Sequence, residues 1–195
     1  MLKALGVVLM APIRVRRNPH RPPASPAHYV VRNLAGTAEA VTVRANDVPH
    51  VSTPTGRWTD WPALVLAKCD EPLARGAPDL RGVWQVHKGP LKAHIERVEQ
   101  AGARVVITSS GIIHDLVVDG SMMHDEGVGG AGISVEARFE EGRFNLYLRG
   151  KWKVVTRYRD GDEMVWRWGP WTSRLRQLDD PGDAALRTAT QLKGR

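Results

Sequence analysis

The chain has 195 residues, a single cysteine and a formal net charge of +7. This length suffices for one domain with a substantial core, so we expect the fold to need neither a structural metal nor a disulfide. No stretch approaches the roughly 18 to 20 apolar residues of a membrane-spanning helix, and one unpaired cysteine is unusual in a secreted protein. We therefore predict a cytoplasmic protein without a membrane span.

The positive charge is concentrated at the N-terminus. Residues 1–32 contain six Lys or Arg and no acid, which leaves a net charge of +1 for all the other residues. The stretch "RVRRNPHRPPASPAH" has no apolar pattern and is typical of a disordered leader. "MLKALGVVLMA" resembles a weak signal peptide, but no small-residue cleavage site follows it. We predict a basic leader over 1–27 and no nucleic-acid binding by the rest of the chain.

Residues 28–78 are predicted to form an N-terminal extension with short strands that packs on the following domain. Most of this segment is turn-forming, and its apolar stretches are short. The candidate elements are strands at 28–34 and 39–45, a strand or short helix at 63–69, and two anchoring side chains, Trp58 and Trp61.

From Gly82 onward, alternating segments are separated by turn residues at intervals of roughly 8 to 12. Short connections with glycine favour hairpins between successive strands. Closing such a meander into a barrel removes both exposed edges. We predict an all-β, antiparallel up-and-down barrel of about 8 to 10 strands over 79–178, followed by a tail over 179–195. The predicted strands are 83–88, 93–100, 103–109, 112–119, 132–139, 143–149, 152–159, 163–168 and 172–178.

Period-two alternation assigns the faces of these strands, on the premise that the charged face is outside. Asp115 and Asp119 are therefore expected to face solvent, and Glu96 and Glu99 are expected to be solvated. A concave apolar interior with a few polar groups is the default binding site of such a fold. The predicted ligand-binding residues are His114, Leu116, Phe139, Phe144, Leu146, Thr156, Tyr158, Met164, Trp166 and Trp168.

His114 and Tyr158 are the candidate catalytic residues. A desolvated imidazole can act as acid or base, and a tyrosine can orient or protonate a bound oxygen. In a filled core, the same polar groups would instead satisfy one another or a buried water. The loop "SMMHDEGVGGAG" at 121–132 lacks the ligand spacing of a metal site, so it predicts a mobile lid and no metal.

Gly82 and Trp84 stand at the head of this meander, and Arg174 and Arg176 lie in its last strand. This arrangement resembles the calycin superfamily, which includes the lipocalins, fatty-acid-binding proteins and avidins. The resemblance implies that Trp84 closes one end of the barrel, with Arg174 or Arg176 over its indole in a cation–π contact of about 0.5 to 2 kcal/mol. The chain lacks the Thr-Asp-Tyr motif and the disulfides of lipocalins.

The resemblance implies an interior that binds a small, mostly hydrophobic molecule, and four functions follow as alternatives. The first is carriage of such a ligand, and the second is a lyase, isomerase or cyclase that uses His114 as acid or base. A third is haem ligation by His114, as in the related nitrobindins. The stretch "GVWQVH" of this chain does not reproduce the longer glycine–tryptophan motif of the nitrobindins. The last is an interaction module in which the barrel is filled and the leader binds partners. A homodimer is also possible.

Overall fold

The computed structural model describes residues 42–55, 61–109, 111–127 and 131–178. Among these residues regular structure is almost entirely β, with ten strands and one 3₁₀ turn at Ala45–Asp47. No helix in the described part of the chain is long and apolar enough to cross a membrane. The strands are β1 (Gly82–Lys88), β2 (Ile95–Ala101), β3 (Arg104–Ser109), β4 (Ile112–Val117), β5 (Met122–Gly127), β6 (Ala131–Glu140), β7 (Arg143–Leu148), β8 (Trp152–Asp160), β9 (Glu163–Trp168) and β10 (Trp171–Gln177).

The ten strands form one sheet in the order β4-β3-β2-β1-β10-β9-β8-β7-β6-β5, with every neighbouring pair antiparallel. Because β1 pairs with both β2 and β10, the meander curls into a nearly closed barrel whose seam lies between β4 and β5. At this seam the Val117 amide donates to Met123 Sδ at 3.2 Å. The prediction of an all-β, antiparallel up-and-down barrel is confirmed by this strand pairing.

Strand β5 replaces part of the lid predicted at 121–132. Its residues alternate between exposed and half-buried, so Met123 and Asp125 face the interior while their neighbours face out. Charged residues hid this alternation in the sequence. In the extension, residues 42–45 are not in a strand, and 63–69 form neither strand nor helix. The candidate strand at 28–34 and Trp58 lie outside the described residues.

Successive connections of a meander lie at opposite ends of the barrel, which defines two ends here. The mouth end contains the β1–β2 connection at 89–94, the β7–β8 turn at 149–151 and the β9–β10 turn at 169–170. The floor end contains the turns at 102–103, 118–121, 141–142 and 161–162, together with the start of β1.

The floor end is closed by Trp84. Its side chain is fully buried, and its indole N–H donates to the Leu80 carbonyl at 2.8 Å. The guanidinium carbon of Arg159, from β8, lies 4.8 Å from the ring centre. The cation–π contact that the resemblance implied is therefore present, but its partner comes from a different strand than predicted.

Arg174 and Arg176 lie on the outer face of β10, so the expectation that one of them covers Trp84 is wrong. Arg174 instead binds Glu163 at 2.7 Å and Asp160 at 2.6 Å. The inward positions of this strand are Trp171, Ser173, Leu175 and Gln177, because these residues pair with inward residues of β9 and β1.

Gly82 begins β1 in a conformation that only glycine adopts readily, with φ of +133°. A Cβ at this position would also lie 2.5 Å from the Gln177 side chain. The glycine thus leaves room for the Gln177 side chain of β10 beside the start of β1.

The strap, defined as the described residues 42–55 and 61–78, covers the outer face of β2, β3 and β4. Arg104 of β3 is fully buried there and binds Asp115 through two hydrogen bonds of 2.8 and 2.7 Å. Its guanidinium also donates to the carbonyls of Ala45, Val48 and Pro49. Asp115 does face outward, but the strap removes it from solvent, contrary to the expectation.

A second charged pair, Arg97 and Glu99, anchors the other half of the strap. Arg97 donates to the carbonyls of Pro62 and Ala63, and Glu99 accepts from the Leu66 amide at 2.8 Å. Burial raises the pKa of Glu99 and lowers that of Arg97, against the attraction between them. The expectation that Glu99 is solvated is wrong, because its side chain is 3% exposed.

Candidate ligand-binding site

A row of rings runs from the interior of the barrel to its mouth end. His94 lies 5.6 Å from Trp166, Trp166 lies 5.5 Å from Trp168, and Trp168 lies 6.2 Å from Trp171, measured between ring centres. We call these four residues the aromatic row. Successive rings are tilted by 31° to 37°, a geometry that adds to the contact energy of aromatic neighbours. Leu91, from the β1–β2 connection, packs against Trp168.

At its inner end the row meets a buried ion pair. Arg157 of β8 donates to both carboxylate oxygens of Glu96 on β2, at 3.1 and 2.9 Å, and its guanidinium carbon lies 4.8 Å from the Trp166 ring centre. His94 Nε2 is 4.0 Å from Glu96 Oε2. A charged pair with this bidentate geometry occupies the middle of the barrel. Sequence alternation placed apolar side chains there, together with the polar side chains of His114, Thr156 and Tyr158.

Burial and the cationic neighbours of Glu96 have opposite effects on its pKa. Burial alone would raise it, but the charge and hydrogen bonds of Arg157, followed by the fields of His94 and His114, hold the pKa below the usual value for glutamate. Glu96 is therefore a carboxylate in the folded protein. Its fully buried position contradicts the expectation that it is solvated.

His114 faces the interior beside the seam, as predicted, and forms a contact across it. His114 Nδ1 lies 2.7 Å from Asp125 Oδ2, with 21% and 8% of the two side chains exposed. A carboxylate on one nitrogen of an imidazole fixes the orientation of the ring and its tautomer. Asp125 is a site residue that the sequence did not reveal, because it was assigned to a loop.

Several polar hydrogens of the mouth end have no acceptor. Within the described residues, no hydrogen-bond partner is present for the indole N–H of Trp166, the indole N–H of Trp168 or the hydroxyl of Ser173. All three side chains face inward on β9 and β10. Buried donors normally find partners, so these three groups mark the mouth end as the candidate ligand-binding region.

Several inward-facing apolar residues near the mouth end are only partly buried. Ile133, Leu148, Val155 and Trp166 belong to the inward sets of β6 to β9, yet each retains intermediate exposure. Around Trp84, in contrast, Leu80, Leu116, Phe144, Met164 and Leu175 are fully buried. Solvent thus reaches several inward apolar side chains near the mouth end.

Eight of the ten predicted ligand-binding residues face the interior, but they fall into two groups. Near the mouth end are His114, Leu146, Trp166 and Trp168. The residues that pack toward the floor end are Leu116, Phe139, Phe144 and Met164, with Phe139 half-buried 6.0 Å from Phe144.

The interior positions predicted for Thr156 and Tyr158 are wrong. The register pairs Phe144 with Arg157 and Met164 with Arg159, which turns both arginines inward. Tyr158 instead lies on the outer wall between Arg143 and Arg167, 5.0 and 5.7 Å from their guanidinium carbons.

Thr156 joins a polar network on the same outer wall. Its hydroxyl donates to the Asn145 side chain at 2.9 Å, and Asn145 donates to Glu140 at 2.8 Å. The error arose from the premise that arginine belongs outside, since each inward arginine has a buried partner, Glu96 or Trp84.

The sequence also failed to single out His94, Glu96 and Arg157. In β2, charged or polar residues occupy both faces and all seven residues are buried, so alternation carries no information there. Spacing gave one usable signal, because Arg157 and Arg159 alternate with Thr156 and Tyr158, and either pair could face inward. Within the described parts of the chain, no three His, Cys, Asp or Glu side chains come together as a metal site.

No protein-family model matches the chain, and no curated protein matches it. Among solved structures, a point mutant of the fatty acid transporter REP1-NXSQ is similar with a TM-score of 0.41 and 11% identity, over 51% of this chain and 98% of that one. The zebrafish ileal bile acid-binding protein, complexed with cholic acid, is similar with a TM-score of 0.38 and 13% identity, over 50% and 98%. The fold described above rests on the strand pairing of this chain.

Proposed function

We propose that the barrel binds a small, mostly apolar molecule through its mouth end, against the aromatic row. The observation that carries this proposal is the pair of buried indole N–H groups, on Trp166 and Trp168, without acceptors among the described residues. A ligand oxygen would satisfy them, and its apolar body would cover the partly exposed Val155 and Ile133.

The charge balance of the interior favours a neutral polar group on this ligand. Arg157 is already matched by Glu96 in a bidentate pair, and His114 is matched by Asp125. A carboxylate would have to compete with these partners, and leaving a buried charge unpaired costs several kcal/mol. A ketone, ester or hydroxyl oxygen needs only the free donors.

Titration of the full chain with a panel of a fatty acid, its methyl ester, a steroid and a planar polyketide tests the proposal. We expect saturable one-to-one binding by calorimetry or native mass spectrometry, with the ester bound more tightly than the acid. Trp168→Leu should weaken binding roughly tenfold, because it removes both a donor and an aromatic contact. The matched outer-wall variants Thr156→Val and Tyr158→Phe should bind like the wild type.

Failure of every panel member to bind, with no co-purifying small molecule in native mass spectra, would overturn the proposal. Equal loss of affinity in the outer-wall variants would also count against it, since those side chains do not reach the interior.

A second candidate function is acid–base chemistry on the bound molecule by His114. The 2.7 Å contact between its Nδ1 and Asp125 supports this candidate, because a base held by an orienting carboxylate is a recurring catalytic arrangement. Incubating a bound ketone in D2O should give deuterium incorporation that disappears in His114→Gln while affinity is retained. Incorporation at the same rate in the variant would remove this function.

The His114–Asp125 pair is also relevant to the haem-binding alternative. A histidine with a carboxylate on its second nitrogen fits a haem-iron ligand, so His114 would be the residue to hold the iron. Haemin reconstitution followed by absorption spectroscopy is the test: a Soret band that is the same in wild type and His114→Gln excludes ligation by this residue.

A further inference from the structure

Two exposed indoles stand at the mouth end. Trp152 opens β8 and Trp171 opens β10, with 44% and 37% of their surfaces exposed. Trp152 pairs with Leu148 and Trp171 pairs with Trp168, so both occupy inward-facing register positions at the very start of their strands. They therefore lie on the rim of the interior rather than on the outer wall, and Trp171 continues the aromatic row to the surface.

The two ends of the barrel also differ in charge. In or beside the described mouth-end connections, the exposed charged residues are Lys88, Lys92, Arg149 and Lys151, with Glu126 as the exposed acid near the end of β5. At the floor end, the exposed acids are Asp79, Asp119, Glu141, Asp160 and Asp162, and the exposed bases are Arg143 and Arg176. The rim that carries the exposed indoles is thus basic, and the opposite end is acidic.

We infer that the mouth end docks on an anionic lipid surface. Indole rings are apolar bodies with one polar hydrogen, and they favour the boundary between headgroups and acyl chains. Each lysine or arginine beside an anionic bilayer strengthens binding about fivefold, and four exposed ones lie in or beside the mouth-end connections. The acidic floor end would be repelled by the same surface, so charge alone orients the barrel with its mouth toward the lipid.

The outer wall that continues from this rim does not extend it into a nucleic-acid platform. Single-stranded nucleic acid needs free aromatic faces along a basic groove. On the outer wall, Tyr147 is already covered by Arg138 at 4.5 Å, and Tyr158 is covered by Arg143. Lipid docking requires only exposed indoles and exposed basic side chains, which the rim provides.

Co-sedimentation of the full chain with vesicles tests the inference. We expect binding to vesicles of phosphatidylcholine mixed with phosphatidylglycerol, little binding to phosphatidylcholine alone, and weakening by salt. Lys92→Glu with Lys151→Glu should reduce the affinity at least about tenfold. The matched control, Arg143→Glu with Arg176→Glu, makes the same change in net charge at the floor end and should bind like the wild type.

The control pair also separates the rim from the basic leader, because residues 1–32 keep their six positive charges in both variants. Trp152→Ser should weaken binding further at high salt, where attraction to headgroups is screened and burial of the indole remains. Circular dichroism melting verifies that each variant is folded.

Equal affinities of the rim and control variants for anionic vesicles would overturn the inference. So would binding to single-stranded RNA with no binding to vesicles. Apolar-ligand titration of the rim variants keeps this result separate from the proposed function, because Lys92 and Lys151 are exposed outside the aromatic row.

Discussion

The two ends of the barrel use the same residue types for opposite purposes. At the floor end, Trp84 is fully buried, donates its N–H to Leu80 and is covered by Arg159. At the mouth end, Trp166 is half-buried and lies under Arg157, but its N–H has no acceptor among the described residues. An indole with every group satisfied stabilises the fold, whereas an indole with a free donor is available for recognition.

The arginines show the same contrast. At the floor end, Arg159 packs over the Trp84 ring. In the middle of the barrel, Arg157 pairs with Glu96. Both point inward from β8, two residues apart. The two inward-facing arginines therefore lie on one strand, one against Glu96 and the other against Trp84.

The largest expected effect that separates the ends is on stability. Trp84→Ala should lower the free energy of unfolding by about 3 to 5 kcal/mol, because it leaves a large cavity in the packed floor. Trp152→Ala, at the mouth rim, should change it by no more than about 0.5 kcal/mol. Urea unfolding followed by circular dichroism measures both, and similar values for the two variants would contradict the contrast between the ends.

A smaller and pH-dependent effect on stability is expected at the Glu96–Arg157 ion pair, which lies between the two ends. Glu96→Gln should lower the stability at neutral pH by about 1 to 3 kcal/mol, since Arg157 keeps its burial and loses its counter-charge. The pKa of Glu96 is lower in the folded state than in the unfolded state. Its stabilisation is thus fully present above the unfolded pKa, and it is lost as pH falls through the folded pKa.

The stability difference between wild type and Glu96→Gln should therefore narrow as the pH falls below about 4, the ordinary range for a glutamate. Urea unfolding at a series of acidic and neutral pH values measures the gap. Glu141→Gln, in an exposed turn, is the matched control and should follow the wild type throughout. A gap that stays constant down to the lowest accessible pH would show that charge pairing does not stabilise this site.

The architecture could be predicted from the sequence because its signals are local. Turn glycines such as Gly142 and Gly161 adopt positive φ where hairpins were expected. Alternation in β6 and β7 sorts apolar from polar residues cleanly, and Gly82 with Trp84 marks the start of the barrel. Each of these features depends on a few neighbouring residues.

The site could not be predicted in the same way because its partners are distant in sequence. Glu96 and Arg157 are 61 positions apart, and neither residue can be assigned to the interior without the other. A lone buried charge is too costly to expect, so alternation with charges outside is the better rule until the partner is known. Applied to β8, that rule assigned the two faces the wrong way round. It placed Tyr158 in the interior and Arg157 on the outer wall.

The strap misled the sequence reading for a related reason. Asp115 and Glu99 do lie on the outer face, as alternation required, but a second layer of chain covers them and binds them through its backbone. Such contacts involve main-chain groups that every residue possesses. The sequence of the strap therefore contains no pattern that indicates which carboxylates it will cover.

The smallest predicted effect on stability concerns the arginine over Trp84. It distinguishes the partner that the resemblance implied, Arg174 or Arg176, from the partner in the structure, Arg159. Arg159→Met should destabilise the fold by about 0.5 to 2 kcal/mol, because it keeps the length of the side chain and removes the cation–π contact. Arg174→Met loses only surface ion pairs with Asp160 and Glu163, which are worth about 0 to 1 kcal/mol.

In the background of Trp84→Leu the Arg159→Met effect should disappear, while the Arg174→Met effect should not change, since only the first depends on the indole. A double-mutant cycle by urea unfolding measures this coupling. Coupling of Trp84 to Arg174 rather than to Arg159 would restore the last-strand arginine as the floor partner and would overturn the inward face assigned to β8.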